Sequence, residues 1–241
     1  MKTIIIIPVR MASSRFPNKP MALIGGKPMV QHVWEKAIAS KLGEVLVACA
    51  EKEVSDLIDS LGGKAIMTNP SIPSGTDRVF AALKDYAGVD ELDSIINLQG
   101  DMPLISSEDI VKVNIPLTQG FDVGTLVTSI NDEENKNINI TKAKVTWIKN
   151  NFIGEATDFY KTPKLDIKNV YHHVGIYSFR YAALKKFVHL PTSQNELYHK
   201  LEQWRALDAK MTIGVNYVNE VPISVDTKED LIHAENIIRN N

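Results

Sequence analysis

The sequence predicts an α/β fold: a mixed, mostly parallel Rossmann-like sheet with helices on both faces, and a β-rich stretch in the second half. Two observations carry this. Through the first hundred residues, continuous apolar runs alternate with runs whose apolar residues recur at helical spacing, as a parallel sheet covered on both sides requires. After about residue 120 the apolar runs shorten into strand-like pieces joined by polar connectors.

Residues 3–8, a β-branched run closed by Pro8, read as a buried central strand. Val30, Val33, Trp34, Ala37 and Ile38 then fall at helical spacing, so the segment between is a strand-to-helix loop. "VLVACA" (45–50) is a second strand, "EVSDLIDSL" a helix and "KAIMT" a third strand. "DRVFAALKDYA" follows as a helix on Val79, Ala82, Leu83 and Tyr86, and "SIINLQGD" as a fourth strand running to Gly100 and Asp101. "VGTLVTSI", "AKVTWI", "NNFIGEA" and "VYHHVGIYSF" form the β-rich stretch, an antiparallel insertion or extension of the sheet. Helical patterning returns at 195–208 on Leu197, Leu201, Trp204 and Leu207, then "MTIGVNYV" reads as a strand and "KEDLIHAENII" as a helix. With no internal repeat and no low-complexity linker, residues 1–241 are expected to form one domain with a β-rich subregion over about 120–180.

The 241 residues are 44 % hydrophobic and 23 % charged, ample for a packed core. Cys49 is the only cysteine, so no intramolecular disulfide can form, and Pro8 and Arg10 cut the first apolar run short of a signal peptide or membrane span. The expectation is a cytoplasmic protein. A net charge of −2 excludes the large basic surplus that nucleic-acid or anionic-membrane binding needs, so any anion must be held by a local cluster.

Such a cluster stands at the N-terminus. From Met1 to Trp34 there is no acid, while Lys2, Arg10, Arg15, Lys19 and Lys27 are basic. In open α/β sheets ligands bind outside the carboxyl ends of the strands, where the loop after Pro8 begins. Arg10, Arg15 and Lys19 could neutralise a triphosphate, backbone N–H groups around Ser13 and Ser14 would add donors, and Pro17 and Pro20 would reduce the entropy lost on ordering. The alternative is a solvated loop with incidental charges. Neither GxxxxGK[ST] nor GxGxxG is present.

Further on, "SIPSGTDRV" (71–79) precedes a helix, where Ser74 or Thr76 can act as the N-cap. Asp101 and Asp226 each follow an apolar strand-like run and read equally well as cap or turn residues; their separation in sequence says nothing of proximity. His172 and His173 are adjacent in a strand and point to opposite faces, a poor joint metal site.

The run "IIPVRMASSRFPNKPMALIGGKPMVQHVWEKA" resembles the N-terminal signature of the sugar-activating cytidylyltransferases, in particular the 3-deoxy-manno-octulosonate (Kdo) cytidylyltransferase family. The resemblance continues through "SGTDRV", "INLQGDMPLI", "HHVGIYSFR", "LEQWRAL" and "SVDTKEDL", in the family's order and over nearly the entire chain. It implies a fold of the nucleotide-diphospho-sugar transferase type, with the β-rich stretch contributing to a homodimer. The implied reaction transfers CMP from CTP to the anomeric hydroxyl of an eight-carbon acidic sugar, releasing pyrophosphate, with Mg2+ as cofactor, for lipopolysaccharide biosynthesis. Carried over by position, Arg10, Ser13, Ser14, Arg15 and Lys19 would line the CTP phosphates, and Ser74, Gly75 and Arg78 would read cytosine. Asp101 and Asp226 would hold the metal, while Gln99, His173, Tyr177, Glu202 and Gln203 would bind the sugar acid.

Some positions depart from the family's pattern. Cys49 and Ala50 stand where an acidic pair is usual, Pro73 replaces a Gln, and Met102 occupies a commonly acidic place. In an ungapped comparison Asp158 takes the position of a sugar-binding Arg. Either Lys161 or Lys164 supplies the missing charge, or the sugar differs, as 8-amino-Kdo or a sialic-type nonulosonate would. A catalytically inactive nucleotide-binding protein is the reading from outside the enzyme class.

Overall fold

The computed structural model describes residues 1–11, 16–84, 86–149, 152–165 and 167–240. The chain forms two compact units, residues 1–111 with 222–241, and residues 112–221.

In the first unit β1 (Thr3–Val9) is buried along its whole length, as the isoleucine run requires. A hairpin of β2 (Leu23–Ile24) and β3 (Lys27–Pro28) leads into helix α1 (Met29–Ala39), then β4 (Glu44–Cys49), α2 (Lys52–Ser60), β5 (Lys64–Met67), α3 (Gly75–Leu83) and β6 (Ser94–Asn97). β1 pairs in parallel with β4 and β6, and β4 with β5, giving the order β5-β4-β1-β6. Parallel order directs the loops after β1, β4 and β6 to one end.

Two boundaries and one core position differ from expectation. The helix α3 stops at Leu83, so Tyr86 lies beyond it and its hydroxyl donates to Glu44 Oε2 (2.7 Å) rather than joining the helix stripe. The strand β6 ends at Asn97; Leu98 N–H still donates to Ile6 C=O, but Gly100 and Asp101 form a turn closed by Met102 N–H donating to Gln99 C=O (3.3 Å). In α1, Ile38 is exposed although it falls at core spacing.

The second unit contains a mixed sheet. After α4 (Ser107–Lys112) and α5 (Ile115–Thr118) come β7 (Val123–Thr128), α6 (Asp132–Lys136), β8 (Lys142–Lys149), β9 (Ile153–Tyr160) and β10 (Val170–Arg180). β10 pairs antiparallel with β7 and β8, and β8 with β9. Helices α7 (Tyr181–His189), α8 (Gln194–His199) and α9 (Gln203–Asp208) precede β11 (Ile213–Tyr217), which runs parallel to β7 and antiparallel to β9. The stretch at 195–208 is therefore two short helices, not one striped helix. Ser193 and Glu196 close a capping box ahead of α8, and Lys200 takes a left-handed conformation (φ 55°) that breaks the run, leaving Leu197 exposed and Leu201 buried.

The chain then returns to the first unit through α10 (Lys228–Asn240). Phe16, Ile24, Met29, Val225 and Ala234 form a buried cluster, with Leu104, Leu231 and Ile238 packed against it. This core fastens the C-terminal segment beside the start of the chain.

Candidate active site

Beyond β1 the chain exposes Arg10, then reaches Lys19 through Asn18, which adopts φ 58°, a conformation Asn tolerates better than most residues. Asn18 N–H donates to Met11 C=O (3.2 Å), tying together the two ends of the loop. Ser13, Ser14 and Arg15 lie outside the described residues. Lys19 opens a 3-10 turn whose next residue, Pro20, is buried.

The decisive contact is made by the Lys19 ammonium. Its Nζ lies 2.8 Å from Asp101 Oδ2 and 3.2 Å from Asp226 Oδ1. Residues far apart in sequence thus converge on one nitrogen. Val225 N–H donates to Asp101 C=O (2.8 Å), and the cluster beneath holds Val225, so both carboxylates are placed by backbone and core rather than by their own attraction. Asp226 does not cap α10. Thr227 Oγ1 accepts from Asp230 N–H (3.2 Å), Asp230 Oδ2 accepts from the N–H groups of Asp226 and Thr227, and the Asp226 carboxylate is left to face Lys19.

At the start of α3, Ser74 is the N-cap: its hydroxyl accepts from Asp77 N–H (3.1 Å) and donates to Asp77 Oδ2 (2.9 Å). A Cβ on Gly75 would sit 3.4 Å from both Pro8 Cγ and Gln99 Oε1, so glycine keeps this backbone accessible. Gln99 Nε2 donates to Asn97 Oδ1 (2.9 Å), and Asn97 Nδ2 to Thr76 Oγ1 (3.2 Å), a chain that fixes the Gln99 amide. Arg78 is 2 % exposed and its Nη1 donates to Thr68 Oγ1 (2.5 Å). Burial holds its pKa below the usual arginine value, and Arg10 pushes the same way. Among the described residues Arg78 Nη2 has no hydrogen-bond partner, nor has the buried Glu51 Oε2. A donor and an acceptor left unmatched close to the end of β4 are costly unless a ligand completes them. Glu51 was not singled out from sequence, where it reads as an ordinary residue at the start of a charged helix.

In the second unit β10 carries a register shift between Val174 and Tyr177. Four residues of regular strand span roughly 13 Å, yet the rings of His173 and Tyr177 lie 5.5 Å apart. The irregularity draws them together. His173 is buried against Phe159 and its Nε2 lies 3.0 Å from Thr125 Oγ1. Burial, with a smaller push from His172, brings its pKa down to about 3, so the ring is neutral. His172 has another partner, Glu134 Oε1 at 3.0 Å, as the opposite facing of adjacent residues requires. Burial, reinforced by Glu202, raises the Tyr177 phenol well above its ordinary value. Glu202 is the N-cap residue of α9 and Gln203, the first residue of that helix, is buried. Trp204 Nε1 donates to Phe159 C=O (2.8 Å), fixing this helix to β9.

Residues 4–213 match the family model described as Cytidylyltransferase. The 3-deoxy-manno-octulosonate cytidylyltransferase of Paramagnetospirillum magneticum is 43 % identical over 239 residues, covering 98 % of this chain and 97 % of that protein. The chain belongs to the 3-deoxy-manno-octulosonate cytidylyltransferase family. A solved CMP:2-keto-3-deoxy-manno-octonic acid synthetase complexed with CTP superposes over 100 % of this chain and 99 % of its own, with a TM-score of 0.91 and 33 % identity. A nucleotidyl transferase from Methanothermobacter, 11 % identical over 100 % of this chain and 99 % of its own, shares the α/β fold at a TM-score of 0.65.

Three of the positions that depart from the family's pattern are buried or paired. Cys49 is buried at the end of β4, where burial pushes its thiol up to about 11, and Met102 is buried beside Asp101 in sequence. Asp158 is engaged: its Oδ2 lies 2.8 Å from Lys164 Nζ, and that ammonium also sits 3.7 Å from the Tyr160 ring centroid.

Proposed function

We propose that this enzyme transfers CMP from CTP to the anomeric hydroxyl of Kdo and releases pyrophosphate. The convergence of Asp101 and Asp226 on one cation carries the reading, in a chain 43 % identical to a Kdo cytidylyltransferase. The sugar hydroxyl attacks the α-phosphorus, and the bond from that phosphorus to the oxygen bridging to the β-phosphate breaks. Negative charge builds on an already anionic nucleotide, so the protein's contribution is positioning and neutralisation.

The residues present fit Mg2+. Two carboxylates already share a cation. Magnesium suits this, since it commonly takes one or two carboxylates and completes its shell with water and phosphate oxygens. When bound between Asp101 and Asp226 it would supply Lewis-acid neutralisation of the phosphates. Arg10, Lys19 and the loop residues Ser13, Ser14 and Arg15 would bind the triphosphate. Ser74, Gly75 and Arg78 would meet the base, with Glu51 as an added acceptor for the cytosine amine. Gln99, His173, Tyr177, Glu202 and Gln203 would bind the sugar.

Arg10 is exposed, so Arg10→Ala is expected to leave the melting temperature unchanged and to slow turnover by more than about tenfold, roughly 1.4 kcal/mol of transition-state stabilisation. Unaltered turnover would remove Arg10 from the phosphate site.

The Asp158–Lys164 pair bears on the sugar. An amino sugar held by Asp158 would have to displace Lys164, whereas an acid needs no such exchange. A pyrophosphate-release assay with Mg2+ and CTP, run in parallel with Kdo, 8-amino-Kdo and N-acetylneuraminate, is therefore expected to favour Kdo, with UTP and ATP poor nucleotides. A higher kcat/KM for 8-amino-Kdo than for Kdo would reverse this assignment, and equal values would mean that Asp158 does not select an amine. Release with none of them, while CTP still bound, would reduce the protein to a nucleotide binder.

The one-domain organisation of residues 1–241 belongs to the same proposal. So does a homodimer through the β-rich stretch, supported by the exposed Ile148, Phe152 and Leu165. Among the described residues no helix is long and apolar enough to cross a membrane, and the proposed location is the cytoplasm.

A further inference from the structure

Lys19 holds a position that the proposed reaction requires for something else. Its ammonium lies within hydrogen-bond distance of both carboxylates expected to hold the metal, and its side chain is only 13 % exposed. A divalent cation bound at these two oxygens would repel the ammonium and compete with it for their lone pairs.

The surroundings determine which partner moves. Asp101 is tied through its carbonyl to Val225, and the backbone at Asp226 is held by Asp230. Lys19 is anchored at its backbone, between the left-handed Asn18 and buried Pro20, while a flexible four-carbon stem carries the charge. Departure of the ammonium is the low-cost rearrangement. Asp101, Asp226 and a divalent metal sum to zero, and Asp230, which also feels the Lys19 charge, is engaged by the N–H groups of Asp226 and Thr227, so an ejected ammonium loses both its partners and calls for an anion. CTP brings that anion, and its phosphates would receive the displaced ammonium.

We infer that Lys19 is the resident counter-ion of the metal position, occupying it in the nucleotide-free enzyme and yielding it only to a metal that arrives together with CTP. The inference rests on the cytidylyltransferase reading and adds an order of events to it. Free metal binds poorly because it must eject Lys19 into water. Metal and nucleotide bind cooperatively because the phosphates accept what the metal ejects, and linkage makes that cooperativity mutual.

The test is a Mn2+ titration of the full-length protein, following free Mn2+ by electron paramagnetic resonance, with and without CTP and without sugar, the Mn2+ taken up by CTP alone being measured in protein-free controls and subtracted. Without CTP, Lys19→Met and Lys19→Gln are each expected to bind Mn2+ at least about tenfold more tightly than wild type. The double variant Lys19→Met/Asp101→Asn is expected to lose that gain. CTP is expected to tighten Mn2+ binding strongly in wild type and much less in either single variant. Unchanged or weaker Mn2+ binding in both folded Lys19 variants would overturn the inference. So would wild-type affinity that is the same with and without CTP, a measurement that needs no variant. If wild type still releases pyrophosphate from CTP and Kdo in those cases, the functional reading survives alone. If it neither binds Mn2+ with CTP nor turns over, both fall.

Discussion

Asp101→Asn is expected to lower CTP- and metal-dependent pyrophosphate release by at least about a hundredfold while shifting the melting temperature by no more than about 2 °C. The activity loss corresponds to roughly 2.7 kcal/mol of transition-state stabilisation, the scale at which a charged group acting on a developing phosphoryl charge is felt. The small stability effect follows from the geometry. Asp101 shares Lys19 with Asp226, so the ammonium keeps one partner after the substitution, and the two acids no longer repel one another. The position is also partly solvated, where ion pairs contribute little to stability. Asp226→Asn should behave alike, because both oxygens converge on the same nitrogen. Activity assays and thermal melts of the two variants decide the point. A variant that unfolds would show a structural ion pair, and a variant that turns over normally would place the metal elsewhere.

How far the site was legible in sequence depends on where each residue's information resides. The isoleucine run of β1, the strand at 45–50 and the segments between 123 and 180 could be read because burial on two faces and alternation leave local patterns. Ser74 was legible as a cap for the same local reason. The proximity of Asp101 and Asp226 was not, since it depends on Val225 meeting Asp101 and on a core assembled from Phe16, Met29 and Ala234. Family resemblance supplied those two residues; spacing could not have. The break at Lys200 was invisible because a lysine in left-handed conformation leaves no compositional mark, unlike a glycine. Glu51 was missed because an orphaned oxygen becomes evident only when its surroundings are known. The same holds for Lys142, a fully buried lysine whose ammonium donates to the carbonyls of Asn137 (2.6 Å) and Lys161 (3.0 Å), tying the connector after β9 to the one before β8.

His173 should make folding stability depend on pH in a direction opposite to that of an ion-paired histidine. In the folded protein its pKa is pushed down to about 3 from 6.5, chiefly by burial, and none of the described carboxylates forms an ion pair with it. The unfolded chain takes up a proton near pH 6.5 and the folded one does not, so this contribution is complete above pH 6.5 and drains away as pH falls toward 3. Between pH 7 and 5 the loss amounts to about 2 kcal/mol. Urea unfolding at both values should show wild type losing about that much more than His173→Gln, which cannot titrate; equal losses would mean that the ring protonates in place. The same burial constrains the chemistry. The hydrogen of the Thr125 hydroxyl is directed to the carbonyls of Val174 (3.1 Å) or Ile176 (2.8 Å), so its oxygen accepts from His173 Nε2–H. The neutral ring thereby keeps Nδ1 as an acceptor. A sugar hydroxyl can donate to such a nitrogen, whereas a carboxylate cannot, and His173 is accordingly expected to read a hydroxyl of the acidic sugar rather than its charge.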